Sequence, residues 1–324
     1  MASLKIFTDS PFDESASRAL QEGATPHEIL FSKHQVSSVL ARPEPDPSFG
    51  LAEIAFGQPD VESIRKSERL KWLHLSTAGF TRYDTPEFRA FAADRELIVT
   101  NSSTVYAAAC AEHVFAFMMA QSRLIPSALA SQTANGTEEW FHLRSNSISL
   151  RGQHLVILGF GGIATELVKL LAPFEMKITA MRRSPRGDEG VHTITTEHLS
   201  TALATADHVI NILPDNAASQ NFINAERLAQ MKPGVIFHNI GRGTTVDQIA
   251  LLDSLRSGQV AAAWLDVTEP EPLPPAHPLR REPNCHITPH IAGGHPDESG
   301  ALVKHFLKNL QLYQDNHPLC DRIM

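Results

Sequence analysis

Cysteine is scarce in this chain: Cys110, Cys285 and Cys320 are the only three in 324 residues, and no two form a CxxC pair. That excludes a disulfide-stapled small fold and a structural zinc ribbon, and it fits a reducing compartment, so the cytoplasm is the expected location. Basic residues are outnumbered too. With 28 Lys and Arg against 36 Asp and Glu, the formal charge is −8, so no polycationic surface is expected for nucleic acid or an anionic membrane. Long hydrophobic runs are absent. The longest apolar region, 105–120, is interrupted by Glu112 and His113, and no stretch is expected to approach a membrane span. The opening residues, MASLKIFTDSPFDESA, place one lysine before a short apolar run and then turn acidic. That is neither a secretory signal nor an arginine-rich transit peptide. The chain carries no repeat at solenoid periods and no low-complexity tail.

What is present is the balance of a globular protein, 42% hydrophobic and 20% charged over a length that suits two domains. From Leu155 onward, short apolar runs alternate with helical patterns: HLVILG, KITAM, HVINIL, VIFHNI, VAAAWLDV and CHITP. Continuous hydrophobicity in short runs predicts strands covered on both faces, which means a parallel sheet with helices on each side, a doubly wound α/β domain. Between them IATELVKLLAPF and AERLAQMKPG have helical spacing and stop at Pro or Gly. The first hundred residues repeat the theme more weakly, with LKIFT, SSVLAR, AEIAF, LKWLHLS and LIVTN as candidate strands of a smaller α/β domain. Pro43, Pro45 and Pro47 mark a loop there. Residues 105–125 predict a buried helix that starts after the capping run Asn101 to Thr104 and ends at Pro126. Its small residues at 107–109, 111, 116 and 120 would serve an ordinary core helix or a close subunit interface equally well.

In Gly159-Phe160-Gly161-Gly162-Ile163-Ala164 the first glycine permits a tight turn after a strand, and the second lets backbone approach a pyrophosphate. The alanine in third place keeps the helix close to the sheet. Phosphates would sit on that helix N-terminus, with Gly162 and Ile163 as amide donors. Such a motif alone is weak, but here it follows a strand, opens a helix and precedes a second strand. At the end of that second strand, where an acid would bond an adenosine ribose, stand Arg182, Arg183 and Ser184. Arginine forks pair with phosphate, so this position points to NADP over NAD; a solvated basic turn is the plainer use of the same residues.

Three more stretches end predicted strands at the edge where open α/β sheets bind ligands. HNIGRG holds Arg242, LDVTEPEPLP holds carboxylates, and ITPHIAGG holds His290. Hydride reduction of a carbonyl needs a proton for the oxygen, a cation for an acidic substrate, and a carboxylate to support the proton donor. Singly, Arg242 could be a surface ion-pair residue, Glu271 a solvated acid and His290 a core histidine. Jointly they match the chemistry. His286 and His290 stand four apart but flank Pro289 in a strand and loop, so they are not a helical zinc pair, and no metal is expected.

These residues resemble the D-isomer-specific 2-hydroxyacid dehydrogenases, in particular their NADP-preferring glyoxylate and hydroxypyruvate reductase branch. The resemblance covers most of the chain and is carried by TNSSTVYAAACAEHVFAFMMA, GFGGIA, INAERLAQMKPGVIFHNIGRG, AAWLDVTEPEPLPPAHPL and NCHITPHIAGG, in that order. It implies a Rossmann dinucleotide domain, 102–290, inserted in a smaller flavodoxin-like substrate domain, 1–101 and 291–324, with the active site in the cleft between them. It implies His290 as the acid that protonates the keto oxygen, Glu271 as the group that favours its charged form and holds it, and Arg242 on the substrate carboxylate. Glu269 competes with Glu271 by proximity, though the family spacing points to Glu271. Ala78, Gly79 and Phe80 would cradle the substrate carboxylate, Leu213, Pro214 and Ile240 would line the cofactor, and Asp266 would meet the nicotinamide carboxamide or serve as a loop acid. Asp215 and Asn216 depart from the family wording. The implied protein is an NADPH-dependent oxidoreductase of a small 2-keto acid, usually a homodimer. The alternatives are a dinucleotide-sensing corepressor-like protein, or a relative acting on another small acid, although a formate-oxidising member would carry glutamine where Glu271 stands.

Overall fold

A computed structural model describes residues 3–36 and 42–324. The chain divides into two compact units, Met1–Tyr106 with His295–Met324, and Ala107–Gly294.

The first unit holds a parallel sheet of β1 (Lys5–Thr8), β2 (Glu28–Phe31), β3 (Ile54–Gly57), β4 (Trp72–Leu75) and β5 (Ile98–Thr100) in the order β2-β1-β3-β4-β5. This is the flavodoxin-like order, with its switch point between β1 and β3. Ile54–Gly57 and Trp72–Leu75 are buried along their whole length, because apolar clusters cover both faces: Phe7, Phe49, Leu73 and Phe88 on one, Ile6, Phe56, Trp72 and Phe306 on the other. Most of SSVLAR lies outside the described residues. The strand Glu28–Phe31 was not legible, since it sits on the sheet edge with both ends exposed.

The second unit holds β6 (His154–Leu158), β7 (Lys177–Met181), β8 (His192–Ile194), β9 (His208–Asn211), β10 (Val235–Asn239), β11 (Val260–Leu265) and β12 (Cys285–Ile287). They pair in parallel in the order β12-β11-β10-β9-β6-β7-β8, which reverses direction between β6 and β9 as a Rossmann sheet does. The central strands β6, β9 and β10 are buried throughout, as expected of strands with helices on both faces. The doubly wound α/β class read from the sequence is thus the observed one.

Two expectations need correction. The helix Ser103–Ser122 has 20 residues and a mean hydropathy of 1.2 in its most apolar window, so by length and composition it does meet the measure of a membrane span. One acid and one histidine in 20 positions do not lower the mean enough. Packing assigns it elsewhere: Ala107, Cys110, Ala111, Val114, Phe117 and Met118 are buried inside the protein. That helix also stops at Ser122 rather than at Pro126. Leu124 turns the chain with φ of +52°, and Pro126 sits in the first turn of the next helix, Ile125–Ser131, where its missing N–H costs nothing.

Candidate active site

All seven strands of the second sheet run in parallel, so the segments that follow them emerge on one edge. Gly159–Gly162 leaves β6, Arg182 leaves β7, Leu213 leaves β9, Arg242 leaves β10, Asp266 leaves β11 and His290 follows β12. Gly159 has φ of +100°, and a Cβ there would press on the Ile212 carbonyl oxygen at 3.3 Å; only glycine takes that turn without strain. At Gly161 a Cβ would meet nothing within 4 Å, and the helix Gly162–Leu171 begins with no side-chain cap. Its first amides therefore remain free beside open space, and Ala164 is fully buried against the sheet. This arrangement fits a pyrophosphate.

The turn after β7 is more elaborate than a solvated basic loop. Arg182 Nη1 pairs with Glu189 Oε1 at 2.7 Å. The amides of Arg186 and Gly187 donate to the same carboxylate at 2.7 and 2.8 Å. Those amides, first Arg186, and the Arg182 guanidinium hold the Glu189 carboxyl down at about 2. Arg183 and Ser184 are exposed.

Around β10, Gly243 exists because any Cβ there would collide with the backbone of Thr268 and Glu269. Arg242 is partly buried and its Nη1 donates to the Gly241 carbonyl at 2.6 Å. Among the described residues no carboxylate lies within ion-pairing distance of its guanidinium; burial lowers its proton affinity, and the charges of Asp215 and Glu271 oppose that. A guanidinium stays protonated even so, which leaves a desolvated cation in need of an anion. Asp215, a departure from the family wording, takes a hydrogen bond from the Thr244 hydroxyl at 2.8 Å and supplies part of this field. The sequence offered no signal for it.

His290 Nδ1 lies 2.5 Å from Glu271 Oε1, with the two side chains 36% and 25% exposed. The main-chain amide and carbonyl of Glu269 are bonded to the Gln248 side chain and the residue is exposed. The geometry pairs Glu271, not Glu269, with the imidazole. His290 itself has φ of +53°, a left-handed conformation in which histidine is enriched yet still uncommon. Asp266 accounts for it. Its backbone oxygen accepts from His290 N at 2.9 Å. Its carboxylate accepts from the Thr288 hydroxyl at 2.6 Å and from the amides of Ile291 and Ala292, both at 2.9 Å. With His113 Nε2 3.7 Å from Oδ1 and the side chain 1% exposed, Asp266 is the anchor of the histidine loop. A carboxylate accepts about four hydrogen bonds, so little of this one is left for another partner.

In the first unit the loop after β4 carries Ala78, Gly79 and Phe80. Gly79 O accepts from Thr77 Oγ1 at 2.7 Å and Ala78 O from Asn101 Nδ2 at 2.8 Å, while Gln58 Nε2 donates to Thr77 Oγ1 at 2.6 Å. The carbonyls are thus tied down, and the three amides have no acceptor among the described residues. Leu213 and Pro214 are partly buried, and Ile240 is 5% exposed with its amide on the Asn211 carbonyl.

A family model of the D-isomer specific 2-hydroxyacid dehydrogenase NAD binding domain matches residues 115–292. A glyoxylate reductase of Thermofilum pendens is 31% identical over 256 residues, covering 78% of this chain and 74% of that protein. Glyoxylate/hydroxypyruvate reductase B of Escherichia fergusonii is 31% identical over 240 residues, covering 72% and 71%. Among solved structures, a D-isomer specific 2-hydroxyacid dehydrogenase from Xanthobacter autotrophicus Py2, in complex with NADPH and MES, superposes with a TM-score of 0.80 at 25% identity, covering 100% of this chain and 98% of that one.

Proposed function

The chain belongs to the D-isomer-specific 2-hydroxyacid dehydrogenases, oxidoreductases with a dinucleotide-binding domain, and we propose from that premise that it reduces a small 2-keto acid, of the glyoxylate or hydroxypyruvate type, to the D-2-hydroxy acid with NADPH. The observation that carries this reading is the His290–Glu271 pair at 2.5 Å in the same unit as an Arg242 guanidinium that has no carboxylate within ion-pairing distance among the described residues. A proton donor supported by a carboxylate and a cation waiting for an acid are what the reduction of a charged carbonyl compound requires.

The dinucleotide, when bound, supplies the hydride. Gly161, Gly162 and Ile163 would hold its pyrophosphate. His290 Nδ1 is committed to Glu271, so the proton for the keto oxygen is held at Nε2, and Glu271 fixes the orientation of the ring. Arg242 takes the substrate carboxylate in a charge-assisted fork.

NADP over NAD is the second part of the reading, supported by Arg182 and the exposed Arg183 at the end of β7 and by the NADPH held by the Xanthobacter relative. The double variant Arg182→Asp with Arg183→Ala is expected to raise KM for NADPH by about a hundredfold, the worth of two charge-assisted contacts, while KM for NADH changes less than threefold. Initial rates with each cofactor against glyoxylate and hydroxypyruvate test it. Equal losses for both cofactors would remove the phosphate role, and no turnover with any 2-keto acid would remove the activity.

We further infer a homodimer working in the cytoplasm, the latter supported by three free cysteines. The helices Ile125–Ser131 and Glu138–Asn146 bury none of their residues, and Leu129 and Phe141 are 70% and 58% exposed, an apolar surface of the kind a partner covers. Sedimentation velocity should return a dimer for the parent and a monomer for Leu129→Asp with Phe141→Asp. A parent that sediments as a monomer overturns this.

A further inference from the structure

We propose that Glu189 is a positioning residue for cofactor choice: its carboxylate folds the 182–190 loop and holds the Arg182 guanidinium ready for a phosphate on the adenosine ribose. This rests on the NADP reading above and assigns a task to a residue outside the proposed chemistry.

Both Glu189 oxygens are used within the loop. Oε1 takes Arg182 Nη1 and the Arg186 amide, and Oε2 takes the Gly187 amide. The side chain is 1% exposed, so it faces its own donors rather than a ligand. That distinction matters. A solvent-facing carboxylate here would bond a ribose hydroxyl and repel a phosphate, whereas this one is turned inward and screened by three donors. Arg182 is fixed at its other end as well, its amide donating to the Ile194 carbonyl at 3.0 Å, and its side chain is only 18% exposed. A guanidinium has five N–H donors, so a single pairing at Nη1 leaves most of the fork for an anion. Arg183, next in the chain, is exposed and has no ion-pair partner among the described residues. Of the two cations, Arg182 is held in advance and Arg183 must be ordered on binding. A long side chain already immobilised gives up less freedom when it clamps a ligand.

Calorimetric titration of the full chain with adenosine 2′,5′-bisphosphate and with AMP separates this from the reading beneath it. The parent is expected to prefer the bisphosphate. Glu189→Ala should weaken bisphosphate binding by roughly three- to tenfold, the cost of ordering one long side chain, and leave AMP unchanged. Glu189→Gln, which keeps one accepting oxygen, should lose less. In steady state the Ala variant's loss should appear in KM for NADPH and not in kcat. Unchanged or tighter bisphosphate binding in Glu189→Ala would make the acid a bystander or a competitor, and equal weakening of both ligands would make it loop scaffold only; each overturns the proposal alone. A parent indifferent to the 2′-phosphate overturns the NADP reading, and the proposal with it.

Discussion

Replacing His290 with asparagine is expected to lower kcat by about a thousandfold, within the range for loss of a general acid, while the dissociation constant for NADPH shifts less than threefold. The choice of asparagine is deliberate. His290 occupies a left-handed backbone conformation with φ of +53°, and asparagine is among the few residues that tolerate it, so the loop keeps its path. The bonds that hold that path run from Asp266 to the amides of residues 290–292 and the Thr288 hydroxyl, and none involves the imidazole. What disappears is the ring whose Nδ1 is 2.5 Å from Glu271 and whose Nε2 is the proposed proton source. Pre-steady-state mixing with a 2-keto acid, set beside a fluorescence titration with NADPH, measures the two quantities. A variant within tenfold of the parent in kcat would show that the proton comes from elsewhere.

Arg242→Met should be comparably damaging, with kcat/KM for the keto acid falling by roughly three orders of magnitude, the upper part of what truncating one member of a buried charge pair costs. Methionine approximates the length and apolar stem but removes the guanidinium on which the charges of Asp215 and Glu271 act. Without the guanidinium, the nearby charges of Asp215 and Glu271 would only repel an incoming carboxylate. Arg242→Lys separates charge from shape. It keeps the charge and loses the planar fork and the 2.6 Å bond to the Gly241 carbonyl, so its activity should fall between the parent and the methionine variant. Progress curves over a range of glyoxylate concentrations distinguish the outcomes, and a methionine variant that keeps a tenth of parental kcat/KM would take Arg242 out of the site.

Much of the nucleotide half could be read before any coordinates, for a definite reason. Strands such as HLVIL and VIFHN are buried on both faces, so they must be apolar at consecutive positions, and that signal is local. The edge strands β2 and β8 escaped because a strand with one neighbour is less buried; Glu28–Phe31 has no buried residue and HTI at 192–194 a single one. The end of the long helix was misread for a related reason. Proline stops a helix or starts one, and the left-handed Leu124 that decides between them leaves no mark in the sequence. The same helix shows how far composition reaches: its hydropathy fits a membrane, and only the structure shows which of its residues, Ala107, Cys110, Ala111, Val114, Phe117, Met118 and Ser122, are buried inside the protein.

By itself the sequence determined the parallel α/β class, the glycine turn with its uncapped helix, and the identity of the chemical groups, since each depends on residue type and on neighbours a few positions away. Tertiary structure alone decided which groups meet. Glu271 rather than Glu269 reaches His290, Asp266 spends its carboxylate on the histidine loop, and Glu189 turns back seven residues to grip Arg182. Hydrogen bonds and ion pairs act over about 3–4 Å, whereas the residues joined to Asp266 are up to 26 positions away in the chain, and only the folded backbone converts the one separation into the other.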